Sequence, residues 1–325
     1  MAQKTRIITV VNKYWECDPV CWVLTNKYIT DNSDGRIDLN IANTMKLITY
    51  PSYGAVKPAT AKDSVPRIVF ETDTKVIEIW CISDLLSNSS QDDQSSSEAK
   101  MNLIPVIFAY QYKNMQYDIE LVIAVGTASG GPGLAVNPAF QSDNINGSVV
   151  IGSNVFMHNG WDSDSKSNYQ CNCWSQILPS GSTAFIDTLN PADLNQYDTL
   201  LLCPPTNPSP ENQQFYINNG YVALGDVNVT DYTKYTAKDM ETGDDFITHY
   251  PDNVNGVSLE TTHCLIYLSA KNYLQQNPPF IFISGVVDRY TKFSQDVNPK
   301  VYAQNVSGAH NAGVAVAYII SKLMK

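Results

Sequence analysis

Arginine is scarce in this sequence. Only four of its 21 basic residues are arginines, while 32 acids set a formal net charge of −11. An acidic surface repels nucleic acid and anionic membrane, so neither is an expected partner. A polyphosphate grip would need a local basic pocket hidden in that average. Long apolar runs are missing as well: no stretch approaches the ~20 apolar residues of a membrane span. The opening MAQKTRIITVVNKYWECDP is apolar only from Ile7 to Val11, which predicts no secretory leader and a soluble, cytoplasmic protein. Seven cysteines, an odd number at irregular spacing, fit reduced thiols better than a disulfide framework. Cys171 and Cys173, with His158 upstream, match no standard zinc spacing, and no metal or organic cofactor is expected. Neither a nucleophilic serine elbow nor a phosphate-binding P-loop occurs.

What is present is the pattern of an α/β protein. The 325 residues suffice for a full core, and 43% hydrophobic with 16% charged residues is a globular rather than a disordered composition. Short apolar, β-branched runs predict strands at Arg6 to Asn12, Arg67 to Glu71, Val76 to Cys81, Glu120 to Val125, Val149 to Phe156, Leu200 to Cys203, Tyr221 to Val229 and Phe280 to Val287. Helical signals lie between them. Pro19 is placed at a first helical turn before VCWVL, and Ser95-Ser96-Ser97-Glu98 has capping-box spacing, with Pro105 expected to kink or end the helix that follows. VSLETTHCLIYLSA, Val257 to Ala270, reads as an amphipathic helix with Glu260 in its first turn. The last helix carries Ala309, Ala312, Val316, Ile319, Ile320 and Leu323 on one face, a stripe suited to packing on a sheet. Ser87 to Ser97 is a polar low-complexity loop, and Asn159 to Gln176 a long polar segment holding Trp161, Tyr169 and Trp174. No repeat or composition break divides the chain, so residues 1–325 are expected to form one domain with a mostly parallel or mixed sheet.

Few residues stand where chemistry is done. Gly126 to Gly133, GTASGGPG, follows a strong strand, but lacks the full GxGxxG spacing of a dinucleotide fingerprint. It reads more simply as a tight turn at the carboxyl end of a strand, the edge where open α/β sheets hold ligands. Asp288 ends an uncharged run; desolvation there favours the protonated form a general acid needs, although an aspartate capping the next segment or pairing with Arg289 fits the pattern too. Glu260 has an equally plain reading as a favourable charge in a first helical turn. Glu16, after the first strand, is by itself a loop or cap residue. His263 and His310 fall beside apolar residues, as packed or surface histidines do.

Taken together and in order, these pieces resemble the nucleoside phosphorylase and nucleosidase superfamily over most of the chain. IITVVNKYWE looks like that family's first strand and active-site turn, and IAVGTASGG like its glycine-rich turn. VALGD, ending at Asp226, is similar to the strand before the base pocket. VSLET resembles the Met-Glu pair that holds the ribose hydroxyls, with Leu259 in the methionine position. FISGVVDRY resembles the strand ending in the catalytic aspartate, and AHNAGVAVAYIISKL the closing helix.

The resemblance implies a three-layer α/β sandwich around a mixed sheet. It implies Asp288 as the acid that protonates the departing base and Glu260 as the carboxylate on the sugar. Leu259, Gly126, Thr127, Asp226 and Val229 would line the substrate site. Two departures tilt the expectation from phosphorolysis to hydrolysis: Ala124 stands where the phosphorylases carry a phosphate-holding arginine, and Glu16 falls near the glutamate with which the nucleosidases activate water. Two others concern the substrate: Ser284 stands where hydrolases of the family often have an arginine, and Ser258 where an acid precedes the Met-Glu pair.

The expected protein is therefore an N-ribosyl hydrolase for a purine nucleoside or nucleotide. Its partner is a small molecule, and self-association is implied by the resemblance. A phosphorylase holding phosphate through Thr127 and main-chain amides, a nucleoside-binding or storage protein, and a nucleotide-depleting defence effector with a separate sensor remain alternatives.

Overall fold

The computed structural model describes residues 4–11, 14–25, 46–49, 68–81, 118–130, 148–158, 174–177, 189, 202–203, 216–217, 222–224, 227–230, 258–260, 263, 266–267, 270, 279–289 and 302–323. The helix expected after Ser97, the polar loop before it, residues 131–133 of the glycine-rich segment, Asp226, Trp161 and Tyr169 lie outside these residues.

Three strands with continuous apolar runs form the centre. They are β1 (Thr5–Val11), β5 (Asp118–Gly130) and β14 (Phe280–Arg289). Such runs belong to strands covered on both faces, as in parallel sheets, and here β1 pairs parallel with β5 and β5 parallel with β14. On the far edge of β1 lie β4 (Lys75–Cys81), also parallel, then β3 (Ile68–Glu71) and β2 (Lys46–Thr49), both antiparallel. Beyond β14 lie β6 (Val149–Gly152), antiparallel, and β11 (Val222–Leu224).

β5 outruns β1. Past Val125, where β1 stops, the same edge of β5 is taken by β13 (Ser258–Glu260). β12 (Val227–Thr230), β7 (Asn154–His158) and β8 (Trp174–Ile177) follow in that order, giving twelve strands in one mixed sheet among the described residues. A short separate pair joins β9 (Leu202–Cys203) to β10 (Tyr216–Ile217).

The two faces of the sheet are covered by different helices. Ile7, Ile77, Leu121, Ile123, Ile281 and Ile283 share a core with α1 (Tyr14–Thr25) and α2 (Tyr302–Leu323). On the opposite face, Phe280 and Phe282 meet Tyr267 and His263. His263, Ile266, Tyr267 and Ala270 are helical and buried, the i, i+3, i+4, i+7 face of a helix. This is the expected three-layer α/β arrangement.

Helix α2 touches strand backbone directly. A Cβ at Gly285 would stand 2.0 Å from the carbonyl oxygen of Gly308, and one at Gly308 only 2.4 Å from Val287 Cγ1. Gly313 likewise lets α2 approach α1 at Val20 and Val23. The helix is consequently buried nearly all round from Gly308 to Ile320, Val314, Ala315, Ala317 and Tyr318 included, rather than along one stripe. Among the described residues no helix is long and apolar enough to cross a membrane.

The far half of the opposite face holds a buried ion pair. Arg6 Nη1 lies 2.8 Å from Glu78 Oε1, and Trp80 Nε1 donates to Glu78 Oε2 at 2.9 Å. Burial pushes the Glu78 carboxyl pKa up, opposed by the Arg6 charge and the Trp80 hydrogen bond.

Several boundaries differ from the sequence pattern. Gly126 to Gly130 continues β5 instead of turning, because β13 and β14 both supply hydrogen-bonding partners there. Val149 to Phe156 is two strands, interrupted at Ser153, and Tyr221 to Val229 is also two. Trp174 to Gln176 falls in β8 rather than in a loop. Pro19 is the sixth residue of α1, not a first-turn residue. It has no N–H for the carbonyl of residue 15, so the opening turn is tied more weakly to the rest of the helix.

Candidate active site

The site lies where β5, β13 and β14 run on past β1. Register brings several of the sequence-selected residues into one row. Val229 of β12 pairs with Leu259 of β13, Leu259 pairs with Ser129 of β5, and Ser129 on its other edge pairs with Asp288 of β14. Asp288 reaches that row through an irregularity in β14. The register shifts between Val286 and Asp288, so Asp288 stands opposite Ser129 where a regular ladder would set Gly130. Bulges of this kind re-aim strands beside functional sites. The strand continues to Arg289, so Asp288 lies within β14 and does not end it.

Glu16 sits in the first turn of α1, 2% exposed. Its Oε1 accepts two hydrogen bonds from one residue: the Thr127 N–H at 2.9 Å and the Thr127 hydroxyl at 2.6 Å. Charge-assisted bonds of this kind are short and strong. The residue is thus neither a loop nor a cap residue but a fixed carboxylate across from β5. The alternation along β5 puts Gly126, one residue earlier, on the opposite face.

Glu260 approaches from that other side, at the edge of β5 that β1 has left and that the Thr127 N–H bonded to Glu16 also addresses. The expected helix over Val257 to Ala270 begins later than the pattern suggested, since Ser258–Glu260 is strand β13. Glu260 ends the strand, and its Oε2 accepts the backbone N–H of His263 at 2.8 Å, satisfying one of the orphan donors of a helix start. A Cβ at Gly126 would stand 3.2 Å from Glu260 Oε1 and 3.3 Å from His263 Nε2, so glycine leaves the space those two groups use. His263 is fully buried and stacks on Phe282, ring centroids 5.6 Å apart at 25°. Burial pushes its pKa down, and the Glu260 carboxylate offsets this only in part, leaving a neutral imidazole. Nε2 is 3.8 Å from Glu260 Oε2, beyond hydrogen-bond range.

Ser258 and Ser284 are both buried and joined by a 3.2 Å hydroxyl contact. A neutral pair therefore stands where the resemblance puts an acid and an arginine. Ala124 is fully buried within β5 and offers no charge. His263 is the residue that sequence reasoning undervalued; its signal was the three-residue spacing from Glu260, a helix-start pattern. His310 is buried on α2 and hydrogen-bonds Asn311 at 3.4 Å. Trp174 lies in β8, separated from the nearest strand of this row, β12, by β7.

No protein-family model and no curated protein matches the sequence. Solved structures match the fold. A 5′-methylthioadenosine nucleosidase from Arabidopsis thaliana superposes with a TM-score of 0.52 at 12% identity, covering 99% of this chain and 97% of that one. A 5′-methylthioadenosine/S-adenosylhomocysteine nucleosidase from Helicobacter pylori gives 0.50 at 10% identity, covering 99% and 100%. The fold of this chain is that of the nucleosidases on which it superposes over nearly its whole length.

Proposed function

We propose that this protein is an N-ribosyl hydrolase that cleaves the glycosidic bond of a purine nucleoside or nucleotide with water. One observation carries the choice of water over phosphate. The two donors of Thr127 that could hold a phosphate oxygen both go to Glu16 Oε1. A phosphate there would displace a carboxylate and meet its charge, and Ala124, three residues earlier on the same strand, is buried and supplies no compensating cation. Desolvating a dianion without a paired cation costs several kcal/mol. Water carries no such penalty.

In this reading Glu16 takes a proton from water as its oxygen bonds to the anomeric carbon. The bond from that carbon to the base nitrogen breaks, its electron pair leaves with the base, and Asp288 protonates the base. Glu260 binds the sugar hydroxyls and opposes the positive charge that builds on the ring.

The test is a panel of purine nucleosides and nucleotides, 5′-methylthioadenosine and S-adenosylhomocysteine among them, with release of free base as the readout. Asp288→Asn should lower turnover by a factor on the order of 10² to 10⁴ while the protein stays folded. Unchanged turnover in that variant removes Asp288 from the mechanism, and no base release from any member of the panel removes the activity.

A further inference from the structure

We propose that His263 is the positioning residue of the Glu260 carboxylate, its ring filling the gap between Gly126 and Phe282 so that the carboxylate keeps one orientation. The proposal rests on the reading of Glu260 as the sugar-binding group and adds to it the residue that makes Glu260 effective.

Three contacts define the arrangement. The His263 backbone N–H holds Oε2 at 2.8 Å, the ring stacks on Phe282, and Nε2 comes within 3.3 Å of where a Gly126 Cβ would be. The backbone bond alone would be available to any residue at position 263. What histidine adds is a flat ring of the right depth, held against an aromatic on β14 and against the bare backbone of β5. Such a ring leaves the Glu260 side chain little room to swing toward β5. Its neutrality matters as much as its shape. An imidazolium at 3.8 Å would pair with the carboxylate and take up charge that the oxocarbenium-like sugar needs. Burial pushes the imidazole pKa down, which disfavours the cation that would pair with the carboxylate. The flanking glycine and phenylalanine complete the device: Gly126 admits the two side chains, and Phe282 fixes the plane of the ring.

The experiment compares wild type, His263→Ala, His263→Gln and Glu260→Gln with a ribosyl substrate and its 2′-deoxy counterpart. KM and kcat are measured separately, and the His263→Ala protein is also crystallised. His263→Ala should lower kcat and kcat/KM for the ribosyl substrate by up to about 10²-fold, the scale expected when a group is misplaced by about an ångström, and collapse the ribosyl-to-deoxyribosyl preference toward that of Glu260→Gln. His263→Gln, whose amide nitrogen can occupy the Nε2 position, should restore most of the preference. In the crystal of His263→Ala the Glu260 carboxylate should have left the N–H of residue 263. A carboxylate unmoved in that crystal, or a preference unchanged in His263→Ala while Glu260→Gln loses it, overturns the proposal and leaves the sugar role of Glu260 standing. If Glu260→Gln itself leaves the preference intact, the reading of Glu260 fails instead. Should the alanine variant not fold, His263→Gln carries the comparison: a preference near that of the wild type supports the proposal, and a preference as low as that of Glu260→Gln in a folded His263→Gln protein overturns it.

Discussion

Replacing Glu16 by glutamine changes one oxygen into an amide nitrogen and little else. Oε1 takes the Thr127 N–H at 2.9 Å and its hydroxyl at 2.6 Å, and a glutamine carbonyl oxygen can take both. The structural loss is the difference between charge-assisted and neutral hydrogen bonds, about 1 kcal/mol for each of the two. The lower cost of burying an amide instead of a carboxylate offsets part of it, so unfolding free energy should change by less than about 2 kcal/mol. The chemical loss is larger. A glutamine cannot accept a proton from water, and a positioned base contributes on the order of 10² to 10⁴ in rate. That corresponds to roughly 3 to 5 kcal/mol in the barrier. Steady-state turnover at saturating nucleoside, read beside the urea midpoint, separates the two effects. Thr127→Val gives the complementary case: it keeps the N–H and the side-chain volume, removes only the hydroxyl, and should slow turnover by about 10- to 100-fold, the worth of one hydrogen bond to a charge. Full turnover in Glu16→Gln would refute the argument that Glu16 is the base. A turnover loss no larger than the stability loss would show that Glu16 acts only as a structural link between α1 and β5.

Other perturbations have equally definite outcomes. Glu260→Gln should weaken catalysis more with a ribosyl than with a 2′-deoxyribosyl substrate, because a sugar lacking one hydroxyl has less to lose; equal losses by kcat/KM would place Glu260 away from the 2′ position. Gly285→Ala should yield little folded protein, since its Cβ would sit 2.0 Å from backbone that cannot retreat without moving α2 off the sheet; a normal urea midpoint would contradict that packing. Burial lowers the His310 pKa from 6.5 to about 4. Below pH 6.5 the unfolded chain takes up a proton that the folded chain refuses until about pH 4, so stability is fully present above 6.5 and drains away as pH falls between the two values. The loss amounts to roughly 3 kcal/mol, and buried, neutral His263 acts in the same direction. Between pH 7 and pH 5 the urea midpoint of His310→Gln should fall less than that of the wild type, and an equal fall would assign the acid sensitivity elsewhere.

The strands that were plain in the sequence are those whose environment is uniform. β1, β5 and β14 are covered on both faces, so their apolar runs carry an unmistakable signal, and with them came Gly126, Thr127 and Asp288. Ser258–Glu260 was illegible for the opposite reason. Three residues are too few to show a period of two, and the apolar spacing of the helical residues after them extends backwards over the strand. The bulge before Asp288 leaves no mark either, because Val286 and Val287 suit a strand with or without an extra residue. Glu16 was visible only through resemblance: its partner lies 111 positions away, and nothing local distinguishes a glutamate that caps a helix from one that grips Thr127. His263 looked like a packed histidine, which it is; the sequence does not tell that what it packs against is Glu260 and Gly126.

The identity of the sugar product tests the central claim most directly. An unphosphorylated purine nucleoside that the protein cleaves is incubated with it in phosphate-free buffer and again with phosphate added, and the sugar is identified by mass. The account predicts free ribose, or the correspondingly 5′-substituted free sugar, at the same rate in both. Ribose 1-phosphate appearing only when phosphate is supplied would contradict it, and would mean that Glu16 yields the Thr127 donors to phosphate.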